Sequence, residues 1–418
     1  MSQNPMKYDY DLAEPLRRDH YRTVVARLQS QMAKDGIDAL VAFRGDNINW
    51  INTHPSGFLD WNIQGVTMVV VPRTGDPIGI TTEHEYRAMS LNGLVSDWRV
   101  CRDWTGWEAR YAGDERVPFA SDTVLSNPDA SPPGIQVLAE LLNERGAGRG
   151  KIAFELSDVK AGLLKHIQKA LPDAQLVDSQ PIIVRADLLK TPYEIYNLRY
   201  AIHHQWRVIS EVTASIKPGT TYAEIRRRIE TGAASTPDID SVYFLQIYMG
   251  KVAGGTKRHY NISAQRGDFI SIDAGFTTRG YIADSGRAYC LGEPSALQRK
   301  IADVYYDAHM KVKERMVPGA RLGDLYDLAA ESVRQHKLSD FRRGHIGHSL
   351  GCANTIEEFP YITHGSNEIL QPGMVMTLEV PFYGTNFGAF FEEDILLITE
   401  TGNEPLTTAP LGLNVIPC

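Results

Sequence analysis

The chain has 418 residues, which is more than one ordinary hydrophobic core accommodates and therefore predicts two domains. Its content of 43% hydrophobic and 22% charged residues is typical of a globular protein and excludes an intrinsically disordered chain. The formal net charge of -8 argues against nucleic acid as a partner, because no basic stripe is available to neutralise phosphates.

The distribution of apolar residues and cysteines predicts a cytoplasmic protein. The N-terminal segment lacks the apolar region of a signal peptide, and the longest apolar run, near residues 66–72, is far too short to span a membrane. The four cysteines are scattered without a Cys-x-x-Cys pair, which is typical of reduced thiols and not of a disulfide scaffold.

Helix and strand patterns alternate in the first part of the chain. Residues 21–36 carry apolar residues at helical spacing and end in glycine, and buried strands are predicted to begin at Ile37 and Gly65. Another strand begins at Lys151, and a helix is predicted from Asp158. This alternation predicts an α/β domain over residues 1–183.

A long amphipathic helix opens the second part of the chain. Thr191 is suited to the N-cap, Pro192 to the first helical position, and Glu194 to closing a capping box. We place the domain boundary just before this helix, so that the second domain covers residues 184–418.

A weak internal repeat occurs within the second domain. Pro218-Gly219 and Pro318-Gly319 each join an amphipathic helix to another helix, and strand-rich segments follow both copies. Chance is a serious alternative, because Pro-Gly is common after helices. Two related α/β halves facing each other would place a site on a pseudo-twofold axis.

Two aspartates occur in neighbouring strand patterns of this domain. The segment GDFISIDAG contains Asp273, and Asp284 follows eleven residues later. Two strands joined by a tight turn at TTRGY would bring both carboxylates to one edge of a sheet. Taken singly, each aspartate is better interpreted as the cap of a turn.

Three further residues make a metal site the better interpretation. His348 lies among glycines, where the backbone can approach a ligand closely, and Glu379 and Glu393 interrupt otherwise apolar strands. A carboxylate buried in an apolar strand is costly unless it is paired or binds a metal. Four carboxylates and one imidazole suit Mn, Fe, Co or Zn, and two such ions can activate water.

At this point the chain resembles the metallopeptidase M24 superfamily, which contains creatinase, prolidase and methionine aminopeptidase. The resemblance implies an α/β N-terminal domain followed by an α+β "pita-bread" catalytic domain of two pseudo-symmetric halves. The segments that carry it occur in family order and cover most of the chain: RLQSQMAKDGIDALVAFRGDNINWI, KTPYEI, IKPGTTYAEI, HYNISAQRGDFISIDAGFTTRGYIADSGRAY, GHSLG, LQPGMVMTLE, EEDILLIT and LTTAPLGLNVI.

The resemblance implies a role for each candidate residue. Asp273 and Asp284 would be paired ligands, with Asp284 bridging two metal ions, and His348 and Glu379 would hold one of them. Glu393 would bridge, and Glu379 would also serve as general base. His259, in the segment RHY, matches the family histidine that contacts substrate. His345 precedes the motif GHSLG and is interpreted as structural or as a residue that contacts a metal ligand without binding the metal itself.

The chain departs from the prolidase pattern at two positions. Glu357 stands where prolidases carry a second histidine, and Phe391-Glu392 precede Glu393 where prolidases carry an arginine. The dimethylsulfoniopropionate lyases of the family also carry an acid at the first position, where it abstracts a proton. Glu357 is therefore a candidate base, and a surface acid or a salt bridge within a loop is the equally good alternative.

Three hypotheses follow. The first is a dinuclear hydrolase of the Xaa-Pro dipeptidase or aminopeptidase type, in which hydroxide on two divalent first-row metal ions attacks an amide or related C–N bond in a dipeptide or small metabolite. The second is a small-molecule lyase or a creatinase-like amidinohydrolase that uses Glu357 or His259. The third is a non-catalytic binding member. By analogy with the creatinase branch, we expect a homodimer.

Overall fold

The computed structural model describes residues 6–57, 64–101, 130–251, 262–352 and 357–418. The chain forms two compact units, one of Asp11–Asp187 and one of Met1–Tyr10 with Leu188–Cys418. The boundary predicted between residues 183 and 184 falls within the last helix of the first unit. His259 lies outside the described residues.

The first unit is an α/β domain, as the alternating patterns predict. Its helices are α1 (Tyr10–Asp35), α2 (Gly45–Asn52), α3 (Glu83–Asn92), α4 (Pro133–Glu144), α5 (Ala161–Ala170) and α6 (Gln180–Asp187). Its strands are β1 (Ala39–Ala42), β2 (Met68–Pro72), β3 (Ile78–Thr82), β4 (Asp97–Cys101), β5 (Lys151–Phe154) and β6 (Gln175–Asp178).

These strands form a six-stranded mixed sheet in the order β4-β3-β2-β1-β5-β6. The central strands β1 and β2 are apolar along their length because both faces are covered, and Val41 and Val70 belong to the core. Helix α1 begins at Tyr10, eleven residues before the predicted start at residue 21. Pro15 and the charged residues that follow it interrupt the apolar pattern over the first turns of α1, so the pattern does not predict these turns.

The second unit contains helices α7 (Pro192–Thr213), α8 (Tyr222–Ala234), α9 (Ala296–Arg315) and α10 (Leu322–Arg334). Its longer strands are β7 (Ser241–Met249), β8 (Phe269–Thr278), β9 (Tyr281–Leu291), β12 (Val375–Glu379) and β15 (Glu393–Ile398). Its shorter strands are β10 (His348–Ser349), β11 (Glu358–Tyr361), β13 (Phe382–Gly384), β14 (Gly388–Phe390), β16 (Asn403–Pro405) and β17 (Asn414–Ile416).

The capping box predicted for the long helix is present. The Thr191 hydroxyl accepts a hydrogen bond from the Glu194 amide at 3.4 Å, and the Glu194 carboxylate accepts one from the Thr191 amide at 2.6 Å. The amides of Thr191 and Glu194, which have no partner inside the helix, are thereby satisfied. Among the described helices, none combines the length and apolar character required to cross a membrane.

The main sheet of the second unit has nine strands, with the order β11-β10-β12-β15-β9-β8-β7 and β16 and β17 attached beside it. Strands β8 and β9 form a long hairpin, and both are buried along their whole length. The predicted tight turn lies at Arg279-Gly280, between the paired residues Thr278 and Tyr281. This hairpin supplies the middle of the sheet, where the candidate site lies.

The predicted repeat is a real structural repeat. After α7, the Gly219 amide donates to the Ala264 carbonyl oxygen at 2.8 Å, and after α9 the Gly319 amide donates to the Leu370 carbonyl oxygen at 2.9 Å. An antiparallel bridge follows in each copy, Thr221 with Ser263 and Arg321 with Ile369. The two Pro-Gly turns therefore dock onto equivalent extended segments, as two pseudo-symmetric halves require.

Candidate metal centre

Three of the five predicted ligands lie along one row across the main sheet. Asp273 on β8 pairs with Gly286 on β9, Gly286 pairs with Glu393 on β15, and Glu393 pairs with Glu379 on β12. Asp284 lies two residues before Gly286 and therefore points to the same face of the sheet. The strand period brings together carboxylates that are more than 100 residues apart in the chain.

Gly286 has a steric reason to be glycine. A Cβ atom at this position would lie 2.2 Å from the ring of Phe391. The missing side chain lets Phe391 pack over the middle of the row, next to Glu393.

The row of Asp273, Glu393 and Glu379, called the acid row below, and the adjoining Asp284 bring negative charge together where solvent has little access. Asp273, Asp284, Glu379 and Glu393 are each at most 7% exposed. Burial and the neighbouring carboxylates raise the pKa of Asp273 and of Glu393 well above the usual range. Like charges directly opposite each other destabilise a sheet, so this arrangement requires a positive partner.

His348 supplies the imidazole of the site. The Nδ1–H group donates to the Ser349 carbonyl oxygen at 2.8 Å, which turns Nε2 toward Asp284 Oδ2 at 3.4 Å and Glu393 Oε1 at 3.9 Å. Burial lowers the pKa of His348, but the Asp284 carboxylate and other acceptors outweigh burial and raise this pKa to about 9.

The backbone before His348 is placed by a close contact with β12. Gly347 has φ 149°, and a Cβ there would lie 2.2 Å from the Thr377 carbonyl oxygen. The Thr377 hydroxyl accepts a hydrogen bond from the His348 amide at 3.2 Å. A residue with a side chain at position 347 would therefore push the imidazole away from the acids.

These residues fit a divalent metal ion. One ligand atom each from Asp284, His348 and Glu393 lies within 4.8 Å of the others. The buried Oδ1 atom of Asp273 has no hydrogen-bond partner among the described residues, although buried carboxylate oxygens are normally satisfied. Carboxylate oxygens with one imidazole are the donors that first-row divalent ions accept.

Two residues that the motifs did not assign to the centre hold the carboxylate of Glu379. Arg343 Nη2 lies 2.9 Å from Glu379 Oε2, and His345 Nδ1 lies 3.4 Å from Glu379 Oε1. Their only signal in the sequence is that they precede GHSLG by a few positions. His345 lies next to a candidate ligand, which agrees with the second of the two roles that the sequence left open for it.

Glu357 lies at the solvent side of this cluster. Its Oε2 atom is 3.2 Å from His345 Nε2, and its side chain is 53% exposed. The hydrogen bond from His345 lowers the pKa of Glu357. Its charge also acts on buried Asp273, so Glu357 belongs to the electrostatic surroundings of the centre.

An aromatic wall adjoins the acids and consists of Tyr248, Tyr383 and Phe391. The ring centroids of Tyr248 and Tyr383 are 5.6 Å apart, and each lies 6.3 Å from the centroid of Phe391. Phe391 belongs to the segment just before Glu393 in which the resemblance to prolidases implies an arginine, and an apolar ring stands there.

On the opposite face of β15, the buried Asp394 lies against basic side chains and not against other acids. Asp394 lies 2.6 Å from both Arg287 Nη2 and Lys313 Nζ, and His309 Nε2 is 3.7 Å away. Burial raises the pKa of Asp394, but these cations outweigh burial and hold this pKa well below its usual range. Arg287 also donates to the Glu393 carbonyl oxygen at 2.7 Å and so fixes the backbone of a candidate ligand.

Two family models match the chain. The model for metallopeptidase family M24 matches residues 197–400, and the creatinase/prolidase N-terminal domain matches residues 25–188. Together they cover both units of the structure.

Named relatives support the same assignment. A putative dipeptidase YkvY from Bacillus subtilis is 24% identical over 81% of this chain and 92% of its own length. An Xaa-Pro dipeptidase from Pyrococcus furiosus is 27% identical over 53% of this chain and 63% of its own. A creatinase from Bacillus sp. is 25% identical over 92% of this chain and 90% of its own.

The fold also matches solved structures. The crystal structure of dipeptidase PepE from Mycobacterium ulcerans superposes with a TM-score of 0.77 at 21% identity, over 96% of this chain and 99% of that one. The predicted fold class is thereby confirmed, with both domains in the expected order. The chain belongs to metallopeptidase family M24 and is a metal-dependent hydrolase.

Proposed function

We propose that the chain is a dipeptidase of the Xaa-Pro type whose centre holds two divalent metal ions. The observation that carries the proposal is the row of buried, facing carboxylates, in which Asp273 Oδ1 has no partner among the described residues. One ion would neutralise only half of the charge of four carboxylates, whereas two would balance it. Asp273, Asp284, His348, Glu379 and Glu393 would hold these ions.

The residues around the ions define what the protein contributes. When bound, the ions activate a water molecule and polarise the amide carbonyl group of the substrate. Glu379 would accept the proton of the attacking water, and the hydrogen bond from Arg343 holds one of its oxygens in place. The wall of Tyr248, Tyr383 and Phe391 would exclude bulk water.

His259 would contact the substrate. This role is proposed from its position in the sequence, since His259 lies outside the described residues.

A second candidate function rests on Glu357. His345 links this half-exposed carboxylate to Glu379, so it lies close enough to the centre to act as a base on a small substrate. On this alternative the same fold would act as a lyase on sulfonium compounds or as an amidinohydrolase on guanidino compounds.

The test combines metal content with substrate panels. Protein purified without chelators is expected to contain about two equivalents of a first-row metal and to hydrolyse Xaa-Pro dipeptides. Asp284→Asn removes a ligand that faces both His348 and the acid row, so it should lose metal and at least about 1000-fold in activity. The exposed Asp303→Asn serves as the matched control.

The other possible results of the metal and substrate tests distinguish between the proposed functions. Full dipeptidase activity in Asp284→Asn would refute the metal centre. Turnover of guanidino or sulfonium compounds, with none of dipeptides, would favour the second candidate function. Metal binding without turnover of any of these substrates would point to a binding protein.

A further inference from the structure

Helix α7 contacts the β8–β9 hairpin through two successive side chains, Gln205 and Trp206. Gln205 is completely buried and Trp206 is 3% exposed. Gln205 Nε2 and Trp206 Nε1 each donate a hydrogen bond to Ser285 Oγ at 2.9 Å. One hydroxyl group of β9 therefore accepts hydrogen bonds from both residues of the helix.

Ser285 directly follows the candidate ligand Asp284 in β9. Because side chains alternate along a strand, Ser285 points toward α7 and Asp284 points to the opposite face, where the other acids lie. Ser285 is completely buried, so water does not compete for its hydroxyl group. The hydrogen bonds to Ser285 therefore also restrict the position of the Asp284 carboxylate.

Gln205 also contacts the other strand of the hairpin. Its Oε1 atom accepts a hydrogen bond from the Phe276 amide at 2.9 Å. The register between β7 and β8 shifts beside this residue, and an irregular ladder leaves a backbone amide that a side chain can satisfy. Gly275, the neighbour of Phe276, pairs with Asp284 across the hairpin. Gln205 therefore joins both strands at the level of this candidate ligand.

Trp206 supports a second candidate ligand through Arg287. The Arg287 Cζ atom lies 5.2 Å from the ring centroid of Trp206. Arg287 Nη1 donates to the carbonyl oxygens of Gly286 at 2.8 Å and Glu393 at 2.7 Å. The indole ring therefore supports the guanidinium that joins the backbone of Glu393 to β9.

The carboxylates of the candidate centre work against this geometry. Asp273, Glu393 and Glu379 lie in one row across the sheet, and facing like charges destabilise the pairing of their strands. Contacts behind the sheet oppose this repulsion before an ion is bound. Ligands that are already in place lose less conformational freedom when an ion binds, which raises the affinity for that ion.

We propose that Gln205 and Trp206 are positioning residues, which hold Asp284 and Glu393 in place for a divalent ion and so raise the metal affinity of the centre. This inference rests on the metal centre of the proposed function. It assigns part of the metal affinity to a helix outside the predicted ligand set.

The experiment measures the Kd of the full-length, metal-free protein for Mn²⁺ by calorimetry. Gln205→Met keeps the size of the side chain but removes its hydrogen bonds, and it should raise the Kd about 10- to 100-fold, as changes to residues that orient metal ligands do. Trp206→Phe keeps a ring over Arg287 and removes only one donor, so it should raise the Kd about 2- to 5-fold. The absorption spectrum of bound Co²⁺ should also change in Gln205→Met, because it reports the geometry of the ligands.

Asn197→Leu is the matched control on the same helix. Asn197 is also completely buried, and its side chain donates to the Tyr193 carbonyl oxygen at 2.9 Å and accepts from the Tyr8 hydroxyl at 2.8 Å. It lies about two helical turns before Gln205. Asn197→Leu and Gln205→Met should lower the melting temperature of the metal-free protein by similar amounts. Only Gln205→Met should weaken Mn²⁺ binding, and the Kd of Asn197→Leu should stay within about 2-fold of the wild type.

Other results would overturn the inference. An unchanged Kd in Gln205→Met would leave the metal centre standing and remove the positioning role. Equal increases of the Kd in Gln205→Met and Asn197→Leu would mean that any loosening of α7 weakens the centre, which also refutes a specific role. If Gln205→Met does not fold, Trp206→Phe decides, and an unchanged Kd there refutes the inference. Absence of Mn²⁺ binding by the wild type would refute the metal centre and the inference together.

Discussion

Glu393 and Asp394 are successive residues of β15, and the protein accommodates these two buried acids in opposite ways. Asp394 faces Arg287 and Lys313, each at 2.6 Å, so its charge is compensated within the chain. Glu393 pairs across the sheet with Glu379 and faces the acid row, and His348 Nε2 lies 3.9 Å from its Oε1 atom. On one face of the strand the charge of the acid is thus compensated by basic side chains, and on the other the acids form the candidate metal centre.

A third buried acid in the first unit shows another solution. Glu155 accepts hydrogen bonds from the amides of Phe43 and Arg44, each at 2.7 Å, and from the Asn47 side chain. Burial and the nearby Asp46 outweigh these donors and raise the pKa of Glu155 to about 7. The chain therefore accommodates three buried acids in three ways: Asp394 lies against cations, Glu393 belongs to the candidate metal centre, and Glu155 has a raised pKa that favours its protonated form. Each arrangement can be tested separately.

The largest effect is expected on the face that cations compensate. Asp394→Asn leaves the buried Arg287 and the half-buried Lys313 without their carboxylate, which should lower the free energy of unfolding by about 3–5 kcal/mol. Urea denaturation in the presence of a chelator measures this loss without any contribution from metal. The exposed Asp303→Asn should change the free energy by less than about 0.5 kcal/mol. A loss below about 1 kcal/mol in Asp394→Asn would mean that solvent screens the cluster.

An intermediate effect is expected at Glu155 and depends on pH. Its folded pKa of about 7 lies above the ordinary value of 4.5, so the folded state retains a proton that the unfolded state has lost. Stability is therefore full below pH 4.5 and falls by about 3 kcal/mol as the pH rises to 7. Glu155→Gln should lack this fall, as shown by urea denaturation at pH 5 and pH 8.

The control for this titration is Glu140→Gln, which changes an exposed carboxylate of the same unit. It should follow the pH dependence of the wild type. Parallel curves for Glu155→Gln and the wild type would show that Glu155 is ionised in the folded protein at neutral pH.

The smallest effect is expected in the acid row. Glu393→Gln removes one of two facing charges, so the metal-free variant should be more stable than the metal-free wild type by about 1 kcal/mol at pH 8. Added Mn²⁺ should reverse this order, because an ion at 100 times its Kd stabilises only the wild type, by about 2.7 kcal/mol. Thermal melts with and without Mn²⁺ test both statements.

The exposed Glu400→Gln should respond to Mn²⁺ as the wild type does. If Glu393→Gln destabilises the metal-free protein, the carboxyl of Glu393 must contribute a favourable interaction, such as its hydrogen bond with Thr377.

Much of the candidate site could be predicted because its residues differ from their sequence neighbours: charged side chains interrupt otherwise apolar strands. A carboxylate such as Glu379 within an apolar strand is costly, so its presence alone signals a partner, and four such acids with one histidine in family order predict the ligand set. The capping box at Thr191 and the turn at Arg279-Gly280 depend on a few neighbouring residues, and both are present as predicted.

The contacts made by Arg343 and His345 could not be predicted in the same way. Arg342 and Arg343 are adjacent and chemically identical, and nothing in their sequence context tells which one turns toward Glu379. The same holds for Asp394, which follows a candidate ligand and points to the opposite face. The pleat of β15 separates the two acids, and the packing of α9 brings Lys313 to one of them.

The sequence by itself therefore determined the two-domain organisation, the family and the set of acids and histidine that form the candidate centre. Local spacing indicates the domain organisation, and the cost of burying charge singles out the acids, whereas the family and the roles of the ligands are implied by the resemblance of motifs in family order. Only the tertiary structure decided which basic side chain lies against which buried carboxylate. Side chains more than 100 residues apart, such as Arg287 and Asp394, meet through strand register and helix packing, which no local pattern records.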